Sequence, residues 1–114
     1  MALSIVVVIR EDPLKTHRAV EALRIALGLS TGENPLTIAL LDRAPLLLSE
    51  DTEDIMDGDI LEKYLPSLKQ LEIPFVVSSG ACSEFSFASG FITRELPPLE
   101  IAALIAESDR VLVF

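Results

Sequence analysis

A chain of 114 residues has the length of one domain and can enclose a single core without disulfides or metals. Half of its residues are apolar, yet Trp is absent and only one Tyr and five Phe occur, so Leu, Ile, Val and Ala must supply that core. Eighteen acidic residues against nine basic ones give a net charge of −9, which repels phosphate backbones; with no basic stripe to offset it, nucleic-acid binding is excluded.

The first element is a buried strand over residues 3–9, continuous, β-branched and ended by Arg10, Glu11 and Asp12. This run and the apolar run at 44–48 fall far short of the ~20 residues that span a bilayer. No basic residue precedes the first run, and no small-residue cleavage pattern follows it, so it does not read as a signal peptide. No membrane contact and a cytoplasmic location are expected.

After a loop containing Pro13, Thr16 is placed to cap a helix over residues 17–27, with Gly28 as its stop. Arg18, Glu21 and Arg24 mark the wet face, and Ala19, Ala22, Leu23, Ala26 and Leu27 the buried one. A second buried strand covers 36–41, followed by one helical turn at 45–48. Residues 49–59 carry Glu50, Asp51, Glu53, Asp54, Asp57 and Asp59, a repelling stretch that predicts a solvated, mobile loop. Its spacing misses the calcium-loop pattern.

Ile60, Leu61, Tyr64, Leu65, Leu68 and Leu71 recur with helical spacing, and Pro66 predicts a kink or two abutting helices. A third strand at 74–77 ends in Ser78, Ser79 and Gly80. A helical turn can follow the glycine, then a very short strand at 91–93, a helix opened by Pro97-Pro98 and reaching 108, and a last strand from 110 to 114. The order β-α-β-α-α-β-(α)-β-α-β predicts one α/β domain: a three-layer α/β/α sandwich with a mostly parallel five-stranded sheet.

Ligands of such sheets bind where loops leave the carboxyl ends of the strands. That edge collects residues 10–15, Asp42 and Arg43, the segment from Ser78 to Cys82, and Arg94. Cys82 is the only cysteine, so it forms no internal disulfide, and no Cys/His cluster of zinc spacing exists. It is either a buried structural thiol or a thiolate made nucleophilic by a helix start. Ser78, Ser79 and Gly80 offer hydroxyls and backbone N–H groups beside it. Arg10 and Arg43 can hold an anionic ligand or pair with Glu11, Asp12 or Asp42. His17, the only histidine, is a candidate base or an exposed first-turn residue. Neither G-x-G-x-x-G nor G-x-x-x-x-G-K is present, and no serine occupies a nucleophile elbow.

Nearly the full length resembles the DsrE/DsrF-like family of small sulfur-relay proteins. The features are the opening strand, the helix Arg18-Ala19-Val20-Glu21-Ala22-Leu23-Arg24-Ile25-Ala26-Leu27-Gly28-Leu29, the second strand with Leu46-Leu47-Leu48 behind it, and the ending Ser108-Asp109-Arg110-Val111-Leu112-Val113-Phe114. The resemblance implies a three-layer α/β/α fold, homo-oligomers or assembly with related subunits, and a cysteine carrying persulfide sulfur. Cys82 stands where that cysteine would fall. The implied activity is a sulfurtransferase-like relay. Cys82 takes sulfane sulfur from a donor protein and passes it to an acceptor thiol, with backbone N–H groups of residues 80–83 holding the anionic sulfur. No metal or organic cofactor is required. Branches of the family without an active thiol serve as structural subunits, so a non-catalytic oligomeric subunit or binding module is the alternative.

Overall fold

A computed structural model describes residues 3–50 and 52–114. The elements are β1 (Ile5–Ile9), α1 (Arg18–Leu29), β2 (Leu36–Leu40), a short 3-10 helix (Ala44–Leu48), α2 (Gly58–Gln70), β3 (Pro74–Ser78), α3 (Ala81–Glu84), β4 (Ile92–Leu96), α4 (Pro98–Glu107) and β5 (Arg110–Val113). The five strands form one sheet in the order β4-β3-β2-β1-β5. Every pairing is parallel, as continuously apolar strands separated by helices require.

The handedness of parallel crossovers decides which helix covers which face. From β1 to β4 the chain steps across the sheet in one direction, so α1, α2 and α3 all lie on one side. The step from β4 back to β5 runs the opposite way, and the same right-handed rule sends α4 to the other side. The main core therefore fills the first face. Ile5, Val7, Ile9, Ile38, Leu40, Phe75 and Val77 meet Ala19, Ala22, Leu23 and Ala26 of α1 and Leu61 and Leu68 of α2 there. Alternate strand residues point to the second face, where Val6, Val8 and Ala39 meet only Leu41, Leu104 and Ile105.

Several boundaries differ from expectation. α1 begins at Arg18, with His17 in place of Thr16 as its N-cap and no side-chain capping bond there, although Thr16 Oγ1 accepts a hydrogen bond from Arg18 N–H at 3.2 Å. Gly28, however, lies inside α1, which runs on to Leu29 and is closed by Ser30 N–H on the carbonyls of Ala26 and Gly28. Pro66 stands within a single continuous α2. Its exposed ring needs no room in the core, and the helix continues past it undivided.

In the acidic stretch, Asp51 lies outside the described residues. The remainder is more anchored than its charge suggests. Ile55 is buried in the main core, Met56 N–H donates to the Pro13 carbonyl at 2.8 Å, and Glu50 N–H donates to the Ser86 carbonyl at 2.8 Å. One apolar residue among acids suffices to pin the loop. No helix among the described residues is long and apolar enough to cross a membrane. No group of three or more His, Cys, Asp or Glu that could hold a metal occurs among them either.

Candidate functional site

Ser78 ends β3, and the chain then turns sharply through Gly80, whose φ of +91° is the left-handed conformation glycine adopts without strain. α3 follows as a single four-residue turn, with Glu84 and Ser83 N–H both donating to the Gly80 carbonyl. Ala81 and Phe85 anchor it in the main core. Cys82, between them in sequence, is left exposed.

Beneath this turn runs β4, longer than the sequence suggested and on the sheet's edge. In its register Thr93 pairs with Phe75 and Glu95 with Val77, so both side chains point to the face that α3 occupies. Glu95 Oε1 accepts the backbone N–H of Cys82 at 2.8 Å. The Cys82 side chain hydrogen-bonds Glu95 as well, and also Thr93. Two side chains of one strand, Glu95 and Thr93, thus flank one exposed sulfur.

The electrostatics are the reverse of a thiolate activated by a helix start. Desolvation of the sulfur raises the thiol pKa most, and the hydrogen bond to Glu95 and that carboxylate's charge raise it further; Thr93 opposes them. Glu95 itself is held below its usual value by the N–H of Cys82, then by the thiol, and in smaller part by the Gly80 N–H, against some desolvation. α3 has too few aligned peptides to outweigh an adjacent full charge. The resting pair is a protonated thiol donating to an ionised carboxylate.

The backbone donors expected to hold anionic sulfur are largely occupied. Cys82 N–H is taken by Glu95, Ser83 and Glu84 N–H by the Gly80 carbonyl, and Ser79 N–H by the Leu96 carbonyl at 3.1 Å. Glu95 is the residue that sequence reasoning missed. Ending the fourth strand at Thr93 hid the alternation that places Thr93 and Glu95 on one face; extending it by one more polar pair would have found it.

The other candidates divide into two groups. Ser78, Ser79 and Gly80 form the approach to Cys82. Arg43, after β2, lies with its guanidinium 5.9 Å from the centre of the Phe85 ring, which caps the end of α3. Phe85 in turn stacks on Phe87 at 6.4 Å. Arg10 is not part of this cluster. It sits between β1 and β5, donating its N–H to the Phe114 carbonyl at 2.7 Å, with β2 between it and β3.

His17 is exposed at the start of α1, where its carbonyl accepts Glu21 N–H at 3.0 Å and its ring acts on Glu21 only by charge. Arg94 does not follow a strand. It pairs with Val76 in the middle of β4 and points to the α4 face, away from Cys82.

No protein-family model matches this chain, and no curated protein does. Among solved structures, the ychN protein from E. coli matches with a TM-score of 0.75 at 20% sequence identity, covering 100% of each chain. The shared fold thus extends from one end of both proteins to the other.

Proposed function

We propose that the protein is a sulfur-relay carrier of the DsrE/DsrF-like type, with Cys82 as the atom that bears sulfane sulfur and Glu95 as its proton acceptor. The observation that carries this reading is an exposed thiol whose side chain hydrogen-bonds an ionised carboxylate at the carboxyl edge of the sheet. Its place after β3 agrees with the family resemblance, and the fold agrees with the full-length structural match.

In the transfer step Cys82 Sγ attacks the terminal sulfur of a donor persulfide, R–S–SH, as Glu95 accepts the thiol proton. A new S–S bond forms at Cys82, the donor S–S bond breaks, and the departing R–S⁻ takes the proton from Glu95. Atoms and charge balance with no net oxidation. Discharge to an acceptor thiol runs the same exchange in the other direction. No metal or organic cofactor enters either step. A donor protein and an acceptor thiol, met in the cytoplasm, are the partners this chemistry needs.

Intact mass spectrometry tests the reading. After incubation with polysulfide or a persulfide-loaded donor, the chain is expected to gain the mass of one sulfur atom. A reductant should remove it, and Cys82→Ser should not acquire it while keeping its circular dichroism. No gain from any sulfane donor refutes the carrier. The raised thiol pKa favours a second reading, a structural subunit in which Cys82 is inert. That reading predicts no sulfur gain and no change in assembly on Cys82→Ser.

A further inference from the structure

β4 forms one edge of the sheet, and that edge runs past Cys82. One hydrogen bond fixes which of its backbone groups are open. Leu96 gives its carbonyl to Ser79 N–H, so it turns its backbone toward β3. In a parallel ladder this direction alternates residue by residue, so Ile92 and Arg94 also face β3, and Thr93 and Glu95 face outward. The N–H and carbonyl of both are therefore left without a backbone partner among the described residues. Thr93 and Glu95 are also the residues whose side chains flank the thiol. An open row of donors and acceptors on a sheet edge is a template for another strand.

Spacing and charge identify the occupant. Open N–H and C=O groups on alternate residues are matched by an extended backbone. Residues directly opposite on neighbouring strands share a face, so whatever stands opposite Thr93 or Glu95 projects on the face that carries Cys82. Glu84 of α3 and Glu95 bring negative charge to this end of the sheet, while the cations of Lys69 and Arg43 are turned to the rings of Phe91 and Phe85. A basic residue opposite Glu95 makes the favourable cross-strand pair. A second copy of β4 fits poorly. The register that joins Thr93 of one copy to Glu95 of the other sets Arg94 against Arg94, and like charges directly opposite are destabilising.

We propose that the β4 edge docks an extended segment of the protein that exchanges sulfur with Cys82, its backbone pairing with Thr93 and Glu95, its cysteine opposite Thr93 and a lysine or arginine opposite Glu95. The proposal rests on the carrier reading and adds to it how the partner is recognised. Main-chain pairing supplies affinity, and the alternate side chains supply specificity. It also brings both sulfurs to one face of the sheet. The segment's cation offsets the Glu95 charge that holds Cys82 protonated, so exchange is favoured once the partner is seated.

NMR titration and amide hydrogen exchange of the full chain test this under reducing conditions. The probes are two short capped peptides with a cysteine and a lysine two residues apart, one in each order, since the added strand can run either way. At least one should slow exchange at the Thr93 and Glu95 amides and leave the outward amides of Val111 and Val113, on the opposite edge, unchanged. Methylating the peptide amides that face β4 should raise its Kd about tenfold or more, and methylating the intervening amides should not. Replacing the lysine by glutamate should weaken binding about threefold, and replacing the cysteine by serine should leave docking intact. Failure of both peptides to protect these amides overturns the proposal, as does protection indifferent to which amides are methylated. So does protection that arises in the chain alone as its concentration rises, which assigns the edge to a second copy. Loading from polysulfide needs no docked strand, so a chain that loads but docks neither peptide keeps the carrier reading and loses this one. A chain that docks a peptide yet gains sulfur from no donor refutes the carrier, and with it the partner assigned here.

Discussion

Replacing Phe75 by alanine should remove a large part of the stability of the sheet half that carries the site. Phe75 is fully buried in the middle of β3, and its ring meets Phe91 edge-on at 5.8 Å and 85°. Lys69 Nζ in turn lies 4.9 Å from the centre of the Phe91 ring, so the pair ties β3 to α2 and to the entry of β4. Truncating a buried Phe costs about 3–5 kcal/mol, of which roughly 0.5–1.5 kcal/mol belongs to the ring pair. A domain of this length has about 6–17 kcal/mol in total. The loss corresponds to a fall in Tm of roughly 12–20 °C. With no Trp in the chain, urea and thermal unfolding are best followed by far-UV circular dichroism. A double-mutant cycle with Phe91→Ala separates the ring pair from the cavity and should return a coupling of about 1 kcal/mol. A cost below about 1 kcal/mol for Phe75→Ala would refute the packing argument, since that is the range of an ordinary surface change.

Glu95→Gln removes the charge beside the Cys82 thiol, so the midpoint of alkylation rate against pH should move down. An unmoved midpoint would deny the thiol–carboxylate pairing. The same pair makes stability pH-dependent. The raised thiol pKa means stability is lost as pH rises through the native thiol ionisation, and the lowered Glu95 pKa means it is lost as pH falls through the native carboxylate ionisation. The fall above neutrality should shrink in Glu95→Gln, as urea unfolding across pH will show. Gly58→Ala places a Cβ 2.7 Å from the Thr52 carbonyl oxygen and should cost about 1–3 kcal/mol in chemical denaturation. Asp109 accepts hydrogen bonds from Ser4 N–H at 2.9 Å and Ser4 Oγ at 3.3 Å, fastening β5 to β1. Asp109→Ala should cost about 1 kcal/mol and speed hydrogen exchange at the Arg110 and Leu112 amides relative to those of β2.

The sequence alone determined the element order, the parallel sheet and the aliphatic core. Each depends on local periodicity: the unbroken runs of β1 and β2, the small-residue stripe of α1 and the prolines opening α4 are visible within a dozen residues. Crossover handedness, a general rule, then distributes the helices between the two faces. The anchoring of the acidic stretch was not legible, because Ile55 gains its core position only from surroundings contributed by distant residues. The site was half legible. Cys82 and its approach through Ser78, Ser79 and Gly80 follow from a strand, a glycine and the sheet's carboxyl edge. Its ionisation does not, because a thiol's pKa depends on which charge stands beside it, and Glu95 arrives from another strand by register alone. Tertiary structure likewise separated Arg10, His17 and Arg94 from Cys82 and left one apolar helix uncovered. A residue's type is local, but its neighbours across a parallel sheet are set by crossovers tens of residues long.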